Sequence, residues 1–475
     1  MRNNKLQMSL ADIYDDVCKA AEEDKPRFLA LLDEHIDFKK LIPAEFIWAF
    51  YRHVGRPREY PLEGFIRFCI LQKALGIGQD STMLNVLKMS SELRDFCRFD
   101  DVPDASKITR FKQDFVEHIQ KVFDNLVEMT EPICREIDAK KADYIIYDTT
   151  GIEVQVTENN AKFINPLLIN AKKLAKDNPD LNPYAMAYAA MPETAKANPF
   201  VKQQYVNGHF CYAFKAGILT NGLGIVRDIA FFDDIFRISH PEVVTKKTDN
   251  PDLDKEVGDS TSLKPVLNDF FKTHPTFSFK TFLGDSAFDT YDIYSALHKD
   301  FGFERAAIPL NPRNTSDAHK DFADDGTPVC PVDGTPFEYL GESRGTNRSP
   351  RFKYVCHQSK YIPGISRRIC VCQTPCTPSH YGRCVYTYPD KDFRLYPGIA
   401  RGTEHWKNLY NHRVLIERSI YLLKEPLCGA SRHSYSSRTA KADLLLAGIT
   451  QLVGVILAQA IKKPKLIKSV RKLVA

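Results

Sequence analysis

The stretch ADYIIYDTTGIEVQV, residues 142–156, is where the chain changes character. Tyr144, Ile145, Ile146 and Tyr147 form a short apolar run of the kind buried on both faces of a sheet, and Asp148 stands at its end. Working outward, HFCYAFKAGILTNGLGIVRDIAFF (209–232) reads as a β-hairpin, with Asn221-Gly222 as its turn signal. SLKPVLNDFFKTH (262–274) reads as a helix and FKTFLGDSAF (279–288) as a strand with Asp285 at its C-terminal end. YDIYSALHKDFG (291–302) is a helix closed by Gly302, and ERAAIPLNPR (304–313) is a further strand. A hairpin followed by strands alternating with helices indicates a mixed α/β layer structure. The Asn- and Ala-rich stretch 158–200 reads as peripheral helices and loops.

Upstream, the first 135 residues read as all-α. Pro61 opens LEGFIRFCILQKAL and Gly76 closes it; short helices fit STMLNVLKM and SELRDFCRF. Ile108, Phe111, Phe115, Ile119, Val122, Leu126 and Met129 then recur as the stripe of one long helix. Lys107, Arg110 and Lys112 in its first turns suit a helix-turn-helix-like DNA reader; a helical dimerisation or packing module fits equally well. Downstream, from 314 to 402, the periodicity is lost in a Gly-, Pro-, Cys- and aromatic-rich segment, read as a β-rich insertion. Helical character returns over 403–475.

With 43% apolar and 26% charged residues, the composition is that of an ordinary soluble globular protein. A net charge of +5 says little, but its distribution is uneven. From Arg401 to Lys441 eight bases face three acids, and the last fourteen residues carry six bases and no acid, a polyanion-facing or simply solvated pattern. The N-terminus lacks the apolar core of a signal peptide, so the cysteines are expected as reduced thiols. Leu444–Ile461 is short for a membrane span and polar at Thr450, Gln451 and Gln459; a buried core helix is expected, and no membrane partner.

Two strand-end aspartates gain weight from a third acid. NLYNHRVLIERSIYLLKEP (408–426) reads as one helix stopped by Pro426. At 100° per residue, Tyr410, Arg413, Glu417 and Lys424 project within about 60° of one another, along a stripe of about 21 Å. The stripe flanks the apolar line Leu409, Ile416, Ile420 and Leu423, and so lies where a helix meets a cleft. Asp148, Asp285 and Glu417 could together hold two divalent ions about 3.5–4 Å apart, Mg²⁺ or Mn²⁺ rather than zinc. Arg413 and Lys424 would then meet phosphate oxygens. Asp143, Asp289 and Asp292 compete for the aspartate roles, which could also be those of turn formers or helix N-caps.

Tyr410, Arg413, Glu417 and Lys424, spaced Y-(2)-R-(3)-E-(6)-K, match the signature of a group of bacterial insertion-sequence transposases with a DDE active site. YDTTGI and LGDSAFDT resemble that group's two aspartate motifs, and YPLEGFIRFCILQKALG with DASKITRFKQDF is similar to its N-terminal domain. The resemblance implies an RNase H-like catalytic core (136–313 and 403–475) with a β-rich insertion (314–402), preceded by the all-α region 1–135. It implies Asp148, Asp285 and Glu417 as catalytic metal ligands and double-stranded DNA, element ends and target, as partner. Two ends must be brought together, so a homodimer on DNA is expected, in a bacterial cytoplasm and associated with the nucleoid. A domesticated, catalytically inactive DNA-binding protein and an RNase H-like nuclease that cuts without strand transfer are the alternative readings.

Two features stay open in the sequence. Cys330, Cys356, Cys370, Cys372, Cys376 and Cys384 cluster in the insertion and could bind a structural Zn²⁺, although they lack two clean C-x2-C knuckles; buried thiols are the alternative. Trp406 could stack on an unpaired base, or anchor helix packing. Arg401, Lys407, Arg418, Arg432 and Arg438, with Lys462, Lys463, Lys465, Lys468, Arg471 and Lys472, are candidates for non-specific phosphate contacts.

Overall fold

A computed structural model describes residues 26–52, 55–176, 178, 180–206, 209–244, 257–311, 321–345, 348–430 and 435–474. The N-terminal 25 residues, the start of the insertion (314–320) and Arg432 lie outside the described residues. The chain divides into two compact units, Met1–Ile133 with Leu422–Ala475, and Cys134–Tyr421.

The first unit is helical. Leu62–Leu75 is preceded by Pro61 and closed by Gly76 at φ 70°, the left-handed conformation that glycine adopts without strain. The stripe read as one long helix from Ile108 to Met129 is broken: Ala105–Asp114 ends at Phe115 (φ −118°, ψ 19°), and Val116–Ala142 starts afresh. The break lets Phe115 join a cluster with Phe46, Phe50 and Phe111, while Phe65 stacks on Phe111 at 4.8 Å. Met129 falls outside the stripe and is exposed.

Ser437–Ala460 is apolar on nearly every side and packs on Leu62–Leu75 and Ala105–Asp114. It is long and apolar enough to cross a membrane, but 89% of its apolar window is buried inside the protein, as expected of a core helix. The division into units falls inside the expected 403–475 segment. Residues 403–421 belong with the sheet, whereas Leu422–Ala475 belongs with the N-terminal helices.

The second unit is built on a mixed sheet of β1 (Tyr144–Glu153), β2 (Thr194–Ala195), β3 (Asn198–Val206), β4 (His209–Asn221), β5 (Val226–Phe231), β6 (Thr281–Leu283) and β7 (Arg305–Ala307). The order is β2-β3-β4-β1-β6-β7, with β5 also paired to β4. β1 runs antiparallel to β4 but parallel to β6, and β6 is parallel to β7. The hairpin β4–β5 turns through residues 222–225 rather than a two-residue Asn-Gly turn. Asn221 Oδ1 accepts from the N–H groups of Leu223 and Ile225, and Gly224 takes the positive φ of 74°. The stretch 158–200 carries the helices Ala161–Lys176 and Pro183–Ala189 together with β2 and the start of β3, more regular structure than its composition suggested.

Side chains alternate between the two faces of the sheet. Ile145, Tyr147, Leu219, Phe282 and Ala306 point to the face covered by helix Asp259–Thr273, through Leu263, Val266, Leu267 and Phe270. Tyr144, Ile146, Leu283 and Ala307 point to the other face and pack against Ile399, Leu409 and Ile416. The insertion forms a three-stranded sheet of β8 (Glu338–Gly345), β9 (Arg348–Val355) and β12 (Cys384–Thr387), with a separate hairpin of β10 (Ser359–Ile362) and β11 (Arg367–Cys370).

Candidate active site

Asp148 is the fifth residue of β1 and pairs with Ile218 of β4, so it lies inside the strand rather than at its end. On the other edge, pairing with β6 stops at Ile146↔Leu283. β1 thus outruns its parallel neighbour, and Asp148 stands where that edge opens. Being two residues on from Ile146, it shares the face that packs against Leu409 and Ile416. Asp285 follows Leu283 by two residues in extended backbone (φ −82°, ψ −178°) and so emerges on the same face. It also caps the short turn Ser286–Phe288, its Oδ1 accepting from Ala287 N at 2.8 Å. A Cβ on Gly284 would come within 2.8 Å of Phe288 and 2.9 Å of Phe282, so glycine lets the chain turn closely beside the aspartate.

The competing acids are engaged elsewhere. Asp143 pairs with Arg135 at 3.1 Å. Asp289 is fully buried and takes Arg394 through two oxygens, at 3.0 and 2.6 Å, as well as the Asn311 N–H at 2.7 Å. Asp292 lies exposed in the first turn of helix Tyr291–Ser295.

The third wall differs from the single helix read over 408–426. Helix Glu404–Tyr410, a 3-10 turn Asn411–Arg413 and helix Val414–Lys424 follow one another. The 3-10 turn shifts Tyr410 relative to Glu417, so the four signature residues do not form one ideal helical stripe. Burial of Leu409 and Ile416, each contributing about 1.5–3 kcal/mol, seats this segment on the sheet. Ser419 adds a hydrogen bond to the carbonyl of Gly224 at 2.5 Å, fixing the helix on the β4–β5 turn.

Arg413, at the end of that turn, meets all three acids. Its Nη2 lies 3.1 Å from Asp148 Oδ2 and 3.7 Å from Asp285 Oδ2, and its Nη1 donates to Glu417 Oε1. The two aspartate oxygens share one nitrogen, so their separation cannot exceed those two distances laid end to end. Burial pushes the Asp148 carboxyl up to about 6, with Asp285 adding to the rise and Arg413 and the Thr149 N–H opposing it. Burial also works against the Arg413 charge, yet Asp148, Tyr410, Asp285 and Glu417 hold it above its usual value. Glu417 is half exposed and Asp285 about a third, whereas Asp148 and Arg413 are mostly covered.

Tyr410 is half-buried, its phenol raised chiefly by burial, and it stacks on Trp406 with ring centroids 4.7 Å apart. Trp406 packs against the Leu409–Ile416 cluster. Lys424 is the last residue of helix Val414–Lys424, two turns beyond Glu417.

On donor chemistry, three carboxylates suit a hard divalent cation. In spacing they do not yet present such a site: among the described residues, no three His, Cys, Asp or Glu side chains are grouped to hold a metal ion. Among the described residues the cysteines likewise form no group of three spaced to hold a metal ion. Cys330 and Cys356 belong to an apolar cluster with Phe337, Phe352, Tyr354 and Tyr396. Burial raises the Cys356 thiol, and Cys330, Cys376 and Cys370 are near enough to add to the rise. Cys370 and Cys384 sit on β11 and β12, and Cys372 is half-buried.

Of the basic residues proposed for DNA, Lys107 and Arg110 line a cavity of the helical unit together with Arg56 and Arg58, Lys107 pairing with Glu59 at 3.0 Å. Lys112 is buried between Asp80 and Asp443, at 2.7 and 2.9 Å, and cannot reach a phosphate. Arg401 is also buried, its guanidinium bonded to the carbonyls of Ile308 and Arg394, and Arg438 is held by Glu117 and the Gln113 carbonyl. Sequence reasoning missed Asp259, whose carboxylate takes Thr149 Oγ1 at 2.5 Å and Lys215 at 2.6 Å. It belongs to the opposite face of the sheet, since Thr149 alternates with Asp148. No pattern around GDSTS in the sequence distinguishes it from a helix-starting acid.

Residues 17–114 match the model of a family described as a transposase domain (DUF772). Within it lie the described helices from Arg27–His35 through Ala105–Asp114. No curated protein matches the chain. Among solved structures, the chain is similar to a piggyBac transposase in a synaptic complex with hairpin DNA, solved by cryo-EM, at 11% identity and a TM-score of 0.38. The alignment covers 92% of this chain and 77% of that one, and it is too loose to carry residues across.

Proposed function

We propose that the chain is a DNA transposase of the DDE type. The observation that carries this reading is the convergence of Asp148, Asp285 and Glu417 from β1, the end of β6 and a late helix onto one guanidinium. The transposase-domain match at residues 17–114 supports it. So does the sheet: a long central strand antiparallel to a hairpin on one edge and parallel to two strands on the other is the arrangement expected of an RNase H-like core.

In this reading Asp148, Asp285 and Glu417 would hold Mg²⁺ or Mn²⁺, two ions per site, which would supply activation of the attacking oxygen and stabilisation of the leaving one. The chain's own residues bind and orient the strand. Arg413 offers a bidentate fork to a phosphate and Lys424 a point charge, while Tyr410, propped by Trp406, forms the adjoining wall. Water attacks a phosphodiester at the element end, the P–O bond to the 3′ oxygen breaks, and a 3′-hydroxyl is freed. That hydroxyl then attacks a target phosphodiester, forming one P–O bond as another breaks. Joining two ends in one reaction calls for a homodimer on double-stranded DNA, acting on nucleoid DNA in a bacterial cytoplasm.

The test uses the element ends flanking the gene. Asp285→Asn and Glu417→Gln are expected to abolish cleavage in Mg²⁺ while end binding persists, and pre-cleaved ends should give strand-transfer products with the wild-type chain. Wild-type cutting rates in either variant would refute the triad. Cutting without joining would reduce the chain to a nuclease.

A further inference from the structure

Arg413 meets all three acids of the candidate site. A residue kept only to grip phosphate would do best pointing into the cleft with its donors free. Arg413 instead spends Nη1 on Glu417 and Nη2 on Asp148 and Asp285. Its Nε is buried with no hydrogen-bond partner, so the arrangement leaves one donor unsatisfied. The residue also sits at the last position of the 3-10 turn, where the backbone passes from one helix to the next. And although the donors are of the right chemistry, no three acidic side chains among the described residues are spaced to share a metal ion.

We propose that Arg413 is a built-in placeholder cation: its guanidinium holds Asp148, Asp285 and Glu417 together and must leave before divalent ions can sit among them. The inference rests on the reading of these acids as metal ligands. Its physical basis is competition. Three carboxylates crowded at a covered strand edge repel one another unless a cation lies between them, and only one cation at a time can occupy that position. A divalent ion with higher charge density displaces the guanidinium, which is then released with its fork open toward the strand. Metal loading and phosphate grip are thereby coupled through one side chain.

The experiment is Mn²⁺ binding to the full chain without DNA, by isothermal titration calorimetry, with melting followed in parallel in EDTA and in Mn²⁺. Arg413→Gln is expected to bind Mn²⁺ more tightly than wild type, on the order of tenfold, because the three ion pairs that must be broken are gone. It should also melt lower than wild type in EDTA and regain that loss in Mn²⁺. Arg413→Lys, which keeps the charge but not the fork, should fall between the two and serves as the folded variant if the glutamine form does not fold. Arg418→Gln, exposed on the helix that follows the turn, controls for net charge and should leave Mn²⁺ affinity unchanged. Equal or weaker Mn²⁺ binding by the Arg413 variants overturns the placeholder while leaving the metal site standing. If wild type shows no Mn²⁺ heat beyond that of Asp285→Asn, the metal-site reading itself fails and the placeholder with it.

Discussion

Replacing Asp443 by asparagine tests the least expected feature of the helical unit. Asp443, with its side chain 6% exposed, lies on helix Ser437–Ala460 and bonds both Lys73 at 2.8 Å and Lys112 at 2.9 Å, themselves almost fully buried. Each contact is worth about 6 kcal/mol of gross Coulomb attraction at an effective dielectric of about 20, against which stands the cost of keeping three charges from water. After the substitution Lys112 retains Asp80 at 2.7 Å, but Lys73 keeps only the carbonyl of Cys428 at 2.9 Å. One buried ammonium is then unpaired, and the expected loss is about 3–5 kcal/mol. For a unit of this size that corresponds to a fall in melting temperature of roughly 10 °C. Denaturant unfolding by far-UV circular dichroism, with hydrogen exchange in the 437–460 helix, reads it directly. Adding Lys73→Met to Asp443→Asn should recover a large part of the loss, since the stranded charge goes too. The pH dependence has a definite sign. Burial alone would raise the Asp443 carboxyl, but Lys112 and Lys73 hold it below its ordinary value. Its contribution is therefore present above about pH 4, the unfolded value, and lost as pH falls through the lower folded value; the asparagine variant should lack that acid limb. A loss below about 1 kcal/mol would show that the pairs behave like surface ones and would refute the argument.

Other substitutions separate structural from chemical acids. Asp289→Asn breaks the fully buried bidentate pair with Arg394 and should destabilise the sheet unit by about 3–5 kcal/mol, seen as a lower denaturant midpoint. Asp259→Asn, on the opposite face from Asp148, should leave cleavage within a few-fold of wild type, whereas Asp148→Asn should abolish it; equal losses would mean the two faces act together. Lys107→Ala and Arg110→Ala are each expected to weaken end binding across DNA sequences and to lower the salt slope by about one, measured by titration at several salt concentrations. Lys112→Met should instead act through stability.

Much of the candidate site was legible because strand alternation and motif order are local properties. The apolar run before Asp148, the hairpin, and the strand before Asp285 set which way each acid points once the sheet forms. Glu417 could be placed from helical spacing, although the 3-10 turn at 411–413 was invisible, since nothing in NLYNHRVL forbids a continuous helix. Asp289 and Asp285 looked equivalent in LGDSAFDT; what distinguishes them is the burial of Arg394, more than a hundred residues away in the chain. Lys112 and Arg401 read as surface bases for the same reason, because a sequence does not show which long side chains find buried acids or carbonyls. The sequence by itself determined most of the elements around the site, their order and the chemistry available at residues 148, 285, 410, 413 and 417. Only the tertiary structure decided which charges are spent on the core, that residues 422–475 join the N-terminal helices, and that Arg413 stands among the three acids. Those outcomes depend on packing and desolvation between residues distant in the chain, where the balance of buried charge is struck.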